Sequence, residues 1–315
     1  MKKLLLNIIR LAGFFILFYI SVNILIAAST AFTPKVEKLL LKFSAISEYE
    51  TRRIKELDEW MQQDESRKTG LILGSSTAYM NINPQILSAQ TGIDFFNCGS
   101  NCQAINYSCI ILKHVLAKHK PDYILLDVYP GMWNTITTEA PTEWVVNYHS
   151  PHHAFILRMV SAEHSVILWN HYFYSMIKRC MPFAKYMEAE TMEHSKYIGN
   201  GHVCFEDAIA DYKAVYREYT SIKIDNAIAL NEIERLCKDN NITLIILMPK
   251  MINTYVRKDI IKTTAHFIDV ENVADETYYR DSHHMHCDGA ERFSYWLAKR
   301  VNEYRLQAEN NIRQE

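Results

Sequence analysis

Basic clusters, metal-type cysteine spacings and repeats are all missing from this sequence. Lysine and arginine total 34 against 36 aspartate and glutamate residues, and no basic stripe forms, so no nucleic-acid partner is predicted. None of the seven cysteines stands in a CxxC or CxxH spacing, which removes the commonest zinc motifs. No internal repeat or low-complexity tract occurs. With 49% hydrophobic and 22% charged residues, the composition is globular rather than disordered.

The first 32 residues differ from the rest of the chain. Lys2, Lys3 and Arg10 precede an uncharged run from Leu11 to Phe32. At ~1.5 Å per residue such a helix reaches ~33 Å, enough to cross a hydrocarbon core of ~30 Å. We therefore predict a transmembrane signal anchor over residues 1–32, with its positive flank inside and an extracytoplasmic body, in the periplasm or at the cell surface. The alternative is a cleaved signal peptide, because small residues at 27–29 offer a cleavage point.

Residues 33–69 are predicted to be a helical stalk or the first helix of the body. Ile54, Leu57 and Met61 recur at spacings of three and four, while charged residues occupy the other face. The pattern suits both a helix that separates the anchor from the body and one that packs onto the body, so both alternatives stay open.

The odd cysteine count leaves at least one thiol unpaired. Cys180 and Cys204 are candidates for a bridge in an oxidising compartment. Buried free thiols are the alternative, because unpaired cysteines are commonly buried. The sequence does not fix the pairing.

From residue 70 short apolar runs alternate with helical stretches. Strands without polar alternation are typical of a parallel sheet covered on both faces, so we predict a three-layer α/β/α domain over residues 70–315. The alternation breaks over about 135–225, which we interpret as a helical insertion with a turn at Gly199-Asn200-Gly201. The predicted strands are Gly70–Leu73, Ile93–Asn97, Tyr123–Val128, Ile242–Met248 and Phe267–Val270.

Ser76 follows the first predicted strand in the segment Gly74-Ser75-Ser76. Ligands of open parallel sheets bind outside the carboxyl ends of the strands, so this serine is placed where its hydroxyl can face a cleft. The structural alternative is helix capping, which is a common role of serine at a strand–helix junction.

An Asp-x-x-His segment near the C-terminus is the second candidate group. Asp281 and His284 stand three residues apart, so one loop can hold the carboxylate against the imidazole. That contact fixes the tautomer and stabilises the imidazolium that forms when a serine loses its proton. Asp288 can then cap a final helix. The predicted core stripe of that helix is Ala290, Phe293, Trp296, Leu297 and Val301.

The histidines of this segment have a metal-binding alternative. His283, His284 and His286, together with Asp281, have the ligand types that zinc prefers. A metal site would leave Ser76 without a role, so we predict no metal and no other cofactor.

In this order the segments resemble the SGNH/GDSL hydrolase superfamily. Gly74-Ser75-Ser76 is similar to the first block, whose third position is the nucleophile, which assigns that role to Ser76 and not to Ser75. Cys98-Gly99-Ser100-Asn101 resembles the second block, whose glycine N–H contributes to the oxyanion hole. Asp281-Ser282-His283-His284 resembles the last block, and Gly289 stands five residues beyond the histidine, as in that pattern. The resemblance implies a triad of Ser76, Asp281 and His284 on a flavodoxin-like fold.

The third block of the family is usually Gly-x-Asn, and this sequence lacks it. The third strand continues instead as Asp127-Val128-Tyr129-Pro130. The predicted oxyanion hole is therefore Ser76, Gly99 and Asn101, with Asn134 as another candidate donor. Losing one donor typically lowers the rate ~10²–10³-fold, so a substitute is expected.

The resemblance implies acyl transfer or acyl-ester hydrolysis through an acyl-enzyme, without a cofactor. The Val-Tyr-Pro ending is similar to envelope-associated members that serve lipoteichoic-acid alanylation and polysaccharide O-acetylation. The expected partners are an acyl donor and a polysaccharide or envelope-polymer acceptor, at a membrane and without nucleic acid. The alternative from another class is a catalytically silent scaffold for a membrane-bound acyltransferase.

Overall fold

The computed structural model describes residues 1–33, 48–63, 66–135, 139–147, 153–162, 165–181, 195–206, 213–270 and 275–312. The chain divides into two units. The first contains Met1–Glu48 and Pro141–Glu190, and the second contains Tyr49–Ala140 and Thr191–Glu315.

Helices and strands are both well represented, and the strands that the structure describes all lie in the second unit. The helices are α1 (Lys2–Ser29), α2 (Glu48–Trp60), α3 (Ser76–Asn81), α4 (Pro84–Thr91), α5 (Ile105–Leu116), α6 (Glu139–Asn147), α7 (His153–Ser161), α8 (Val166–Arg179), α9 (Ile224–Asp239) and α10 (Cys287–Ile312). The strands are β1 (Thr69–Leu73), β2 (Asp94–Asn97), β3 (Tyr123–Asp127), β4 (Ser195–Gly199), β5 (His202–Phe205), β6 (Arg217–Tyr219), β7 (Thr243–Met248), β8 (Thr254–Val256) and β9 (His266–Asp269).

A five-stranded parallel sheet forms the centre of the second unit. Its order is β2-β1-β3-β7-β9, which is the flavodoxin-like order, and the five predicted strands are confirmed to within one residue. Side chains alternate between the faces of a sheet. Ile72 and Leu125 pack under α10, and their neighbours Leu71 and Ile124 on the opposite face are also fully buried. Both faces are therefore covered, which confirms the predicted α/β class.

The final helix supplies much of the core on one face of the sheet. Ala290, Phe293, Leu297 and Val301 are buried there, as the stripe predicted, and Trp296 packs against the same cluster while partly exposed. Each fully buried large side chain contributes roughly 1.5–3 kcal/mol by leaving water. The stripe at helical spacing therefore fixes α10 directly behind the segment that carries His284.

The predicted insertion contains more than helices. Helices α6, α7 and α8 occupy its first part, whereas the antiparallel pair of β4 and β5 occupies the second. The predicted turn at Gly199-Asn200-Gly201 connects these two strands. The short strand β6 pairs in parallel with β8, outside the main sheet.

Helix α2 lies against the α/β unit. Ile54, Leu57 and Met61 are buried, as the spacing predicted for one face. Arg53 is also buried and donates a hydrogen bond to the carbonyl oxygen of Gly99, which ties α2 to the loop after β2. Residues 34–47, the remainder of the predicted stalk, lie outside the described residues.

The disulfide differs from the candidate pairing. Cys204 at the end of β5 bonds to Cys287 at the start of α10, and Cys180 is an exposed free thiol in the first unit. The Cα atoms of the bonded pair lie 5.0 Å apart, which is within the range that a disulfide spans. The bridge holds α10 to the hairpin three residues after His284.

Helix α1 has 28 residues and is long and apolar enough to cross a membrane. This part of the prediction for residues 1–32 is confirmed.

Candidate active site

A tight turn after β1 places Ser76. Gly74 has a φ of +150°, and a Cβ on it would come within 2.6 Å of the Asp127 Cβ, so only glycine lets β1 and β3 end side by side. Ser75 is extended and Ser76 is the first residue of α3. Since β2 and β3 lie on opposite sides of β1, this turn stands at the switch point of the sheet, where ligands of such folds bind.

A chain of two short hydrogen bonds connects Ser76 to the Asp-x-x-His segment. His284 Nε2 lies 2.7 Å from Ser76 Oγ, and His284 Nδ1 lies 2.7 Å from Asp281 Oδ2. With the Nδ1 proton donated to Asp281, Nε2 is left to accept the serine proton, which is the arrangement that activates a serine nucleophile. The structure thus brings together all three residues that the motif resemblance paired.

Asp281 also holds the backbone of its own loop. Its Oδ1 accepts hydrogen bonds from the N–H groups of His283 and His284, at 2.9 and 2.8 Å. Burial alone would raise the pKa of the Asp281 carboxyl, but the hydrogen bonds and the nearby histidines outweigh it and lower that pKa well below its usual range. Asp281 is therefore a fixed negative charge beside His284.

Asn81, which the sequence analysis did not single out, connects helix α3, which begins with Ser76, to the histidine loop. It donates to the His283 carbonyl oxygen at 2.9 Å and accepts from the Met285 N–H at 2.8 Å. The Ile252 N–H donates to the Ser282 carbonyl oxygen at 2.8 Å. The loop is thus held from α3 and from the segment after β7, and no sequence motif marks Asn81 for this role.

Ser75 is close to the site in sequence but does not take part in the hydrogen-bond chain. Its hydroxyl is buried, makes no capping hydrogen bond to α3, and has no partner among the described residues. The two neighbouring serines therefore have different environments.

Of the predicted oxyanion donors, Gly99 is already engaged. Its N–H donates to Asn97 Oδ1 at 3.0 Å. The Asn97 side chain is fully buried, and its polar needs are met because its Nδ2 donates to the carbonyl oxygens of Ala78 and Ile82. A Cβ on Gly99 would come within 3.0 Å of the Ser75 oxygen and the Tyr79 nitrogen. The glycine is therefore needed for close packing against α3.

The side chain of Asn101 is oriented by α3. Its Oδ1 accepts a hydrogen bond from the Tyr79 hydroxyl at 3.0 Å, which turns the Nδ2 donors away from Tyr79. The Ser76 N–H, at the first position of a helix, has no intrahelical acceptor. Asn134, the other candidate, donates to the oxygens of Ser221 and is used elsewhere.

His283 lies between Tyr129 and His284, with its ring centroid 3.9 Å from that of His284. The Tyr129 and His283 rings stack with centroids 4.8 Å apart, and His283 Nδ1 lies 2.8 Å from the Ser282 hydroxyl. Burial, with the neighbouring His284, lowers the pKa of His283 to about 3. His283 is accordingly neutral at physiological pH and adds no charge beside the base.

The donor atoms of Asp281 and the neighbouring histidines bear on the metal-binding alternative. Asp281, His283 and His284 place one ligand atom each within 4.8 Å of one another, whereas the His286 Nε2 donates to the Thr277 carbonyl oxygen. Zinc ligand atoms lie ~2.0–2.2 Å from the ion, so neighbouring ligands stand roughly 3.3 Å apart. The His284–Asp281 separation of 2.7 Å is shorter. The donor set fits a hydrogen-bonded triad better than a zinc site.

Asp127, at the end of β3, holds Thr77, the residue after Ser76. Its Oδ1 accepts from the Thr77 hydroxyl at 2.9 Å and from the Tyr129 N–H at 3.0 Å. Burial raises the pKa of Asp127 to about 7, against the lowering effect of these hydrogen bonds. This carboxyl therefore takes up a proton in the folded protein at a pH where it is ionised in the unfolded chain.

We expect Asp127→Asn to stabilise the protein at alkaline pH. Because the pKa of Asp127 is raised in the folded protein, its protonated form stabilises the fold. This contribution is full below pH ~3.9, the pKa in the unfolded chain, and is lost as the pH rises to about 7. Asparagine keeps the Oδ1 acceptor but cannot ionise, so near pH 8 the variant should gain on the order of 3 kcal/mol over wild type, and near pH 4 almost nothing. Thermal unfolding at both pH values checks this, with the exposed Asp225→Asn as control. An equal difference in stability between variant and wild type at the two pH values would contradict it.

Comparisons with known proteins add little to this geometry. No family model matches the sequence, and no curated protein matches it. A crystal structure of a putative acylhydrolase from Bacteroides fragilis aligns with 80% of this chain and 95% of its own, at 10% identity and a TM-score of 0.36. At that score the similarity carries no argument, so the functional conclusion depends on the site itself.

Proposed function

We propose that the protein is a membrane-anchored, SGNH-type serine enzyme for acyl transfer or acyl-ester hydrolysis on an extracytoplasmic glycan or envelope polymer. The observation that carries this proposal is the hydrogen-bond chain from Ser76 through His284 to Asp281, with 2.7 Å at each step. Further support comes from the order of the family blocks along the strand ends, and from the parallel sheet whose switch point holds the serine.

The proposed reaction has two acyl transfers. His284 Nε2 accepts the proton of Ser76 as Oγ attacks the acyl carbonyl, and the imidazolium then protonates the departing alkoxide. This leaves an acyl ester on Ser76. A hydroxyl of a sugar, or water, next gives its proton to His284 and attacks that ester. The acyl group leaves on the acceptor, and Ser76 regains its proton from the imidazolium.

Ser76 N–H and the Asn101 amide are the proposed donors to the oxyanion. The Tyr79 hydrogen bond would pre-orient Asn101 so that one Nδ2–H faces the developing charge. We expect Asn101→Asp, which keeps the shape but replaces donors with acceptors, to lower kcat ~10²–10³-fold. Tyr79→Phe should have a smaller effect in the same direction, because it frees the amide without removing it. A full-rate Asn101→Asp enzyme would exclude Asn101 from the oxyanion hole.

Hydrolysis and transfer differ in the acceptor, which the triad alone does not determine. The direct experiment supplies the full-length protein with an acetyl ester, with and without a candidate polysaccharide, and measures free acetate and acetylated glycan. Transfer predicts glycan acetylation that rises as acetate release falls. Release of acetate alone would support an esterase, and neither product with any ester tried would contradict the enzymatic proposal. Repeating the assay with chelator separates a serine from a metal mechanism.

An extracytoplasmic position is supported by two features. Helix α1 follows a positively charged start, and such charges hold the flank of a span in the cytoplasm. The Cys204–Cys287 disulfide suits an oxidising compartment. Protease added outside spheroplasts should digest the α/β unit. Protection that persists until lysis would contradict this topology.

A catalytically silent scaffold for a membrane-bound acyltransferase is the second candidate. The observation that favours it is the Gly99 N–H, which donates to Asn97 and is thus not free for an oxyanion. Such a scaffold needs no reactive serine. It predicts that Ser76→Ala preserves envelope modification in cells, whereas the enzyme predicts its loss.

A further inference from the structure

Along its uncharged run, helix α1 exposes most of its large apolar residues and buries Asn23 and Ala27. Asn23 and Ala27 of α1, with Thr30 directly after its end, form the buried stripe, each at most 2% exposed. The exposed side chains from Leu11 to Leu25 are mainly leucine, isoleucine and phenylalanine, including Phe15 and Leu17 at 59% and 67%. This is the reverse of an amphipathic helix in water, and it is the pattern of a helix in lipid, where small and polar residues face protein.

Helix α8 has the same reversal. Its exposed positions are all apolar: Val166, Ile167, Phe173 and Met176. Its buried positions include His171, Ser175 and Lys178, all at most 6% exposed. A helix that shields a lysine and presents isoleucine and phenylalanine outward is unsuited to water and suited to hydrocarbon.

The neighbouring helix α7 does not share this pattern. It buries Phe155, Ile156 and Met159 and exposes Arg158 next to Leu157, so its outer face mixes a charge with an apolar residue. In this respect α1 and α8 differ from α7.

Contacts within the first unit set the depth of α8 along α1. The Tyr19 hydroxyl donates to Asn170 Oδ1 at 2.6 Å, and Ala27 packs with Tyr174. Tyr19 is ~12 Å along the helix from Leu11, well inside a hydrocarbon core of ~30 Å. The 14 residues of α8 reach only ~21 Å, so α8 is too short to cross.

An apolar groove runs between the two helices. It has a volume of about 730 Å³, and its walls include Phe15 and Ile16 of α1 and Trp169 and Phe173 of α8. The groove opens on the same outward surface as the exposed apolar face of α1. If lipid surrounds that face, lipid acyl chains also fill the groove.

We propose that α8 is a membrane-inserted half-helix that enters the bilayer beside α1, with lipid acyl chains covering its apolar face and filling this groove. The inference rests on the membrane anchor of the proposed function. It gives the insertion a membrane-binding role that is separate from the chemistry at Ser76.

Cysteine accessibility in lipid tests this, with controls matched in residue type and exposure. In a Cys102→Ser, Cys180→Ser background, Ile167→Cys is compared with Ile228→Cys on α9, since these isoleucines are 62% and 59% exposed. Val166→Cys and Val215→Cys form a second pair, at 82% and 69%. Full-length chains are placed one per lipid nanodisc, so a second copy cannot provide the cover. A charged maleimide is the probe.

We expect Ile167→Cys and Val166→Cys to react about 100-fold more slowly than their partners, because the reacting thiolate is disfavoured in hydrocarbon. Unfolding in denaturant should equalise the rates. Equal rates in discs that retain the protein would overturn the inference while leaving the anchor intact. Failure of the chain to remain with the discs would refute the anchor, and the half-helix with it.

Discussion

Ser76→Ala is expected to lower kcat for an acetyl ester by ~10⁶-fold, because it removes the atom that forms the acyl-enzyme. His284→Ala should have an effect of the same size, and the double variant should be no worse, since the two residues act as one unit. Steady-state rates with 4-nitrophenyl acetate provide the measurement. Thermal unfolding close to that of wild type would show that the fold is intact.

Ser75→Ala is the matched control for this prediction. The Ser75 hydroxyl has no hydrogen-bond partner among the described residues, and His284 faces Ser76 instead. We expect the control to keep most of its activity. If Ser75→Ala abolished activity and Ser76→Ala spared it, the nucleophile would be misassigned.

Asp281→Asn is expected to lower kcat by ~10⁴-fold while the loop stays in place. Asparagine keeps the Oδ1 that accepts the N–H groups of His283 and His284. Its amide, however, donates to His284 Nδ1, which forces the ring proton onto Nε2, so that Nε2 can no longer accept the proton of Ser76.

The exposed Asp288→Asn is the control, since Asp288 lies four residues from His284 but outside the hydrogen-bond chain. Its rate should match wild type.

A loss of stability is also expected for Asp281→Asn at neutral pH. The pKa of Asp281 is lowered in the folded protein, so its ionised form stabilises the fold above pH ~3.9. A variant with full kcat would show that His284 does not depend on Asp281.

The sheet and the candidate triad could both be predicted from the sequence, but for different reasons. Strands buried on both faces are continuous apolar runs, and glycine or proline bounds β1 and β7, so their positions were predictable to within one residue. The candidate triad was predicted from the resemblance of three short segments to the motifs of a known family. Nothing local in the sequence reports that Ser76 and His284, 208 residues apart, touch.

Other long-range contacts in the structure are not marked by any sequence motif. Asn81 holds the loop at His283 from 202 positions away, and Cys204 bonds to Cys287 across 83 residues. The β4–β5 hairpin escaped prediction because β4, Ser195–Gly199, mixes polar and apolar residues and is only partly buried, so no continuous apolar run marks it. Only its turn was marked by glycines.

The measurement that tests the central claim most directly is labelling by an alkyl fluorophosphonate. An activated serine attacks the phosphorus and expels fluoride, so it forms a stable phosphonyl ester at the reactive hydroxyl. Our account predicts one adduct, found by mass spectrometry on the peptide that contains Ser76, abolished by Ser76→Ala, strongly reduced by His284→Ala and unchanged by chelator or by Ser75→Ala. No adduct on the folded wild-type protein, or one that persists in Ser76→Ala, would contradict it.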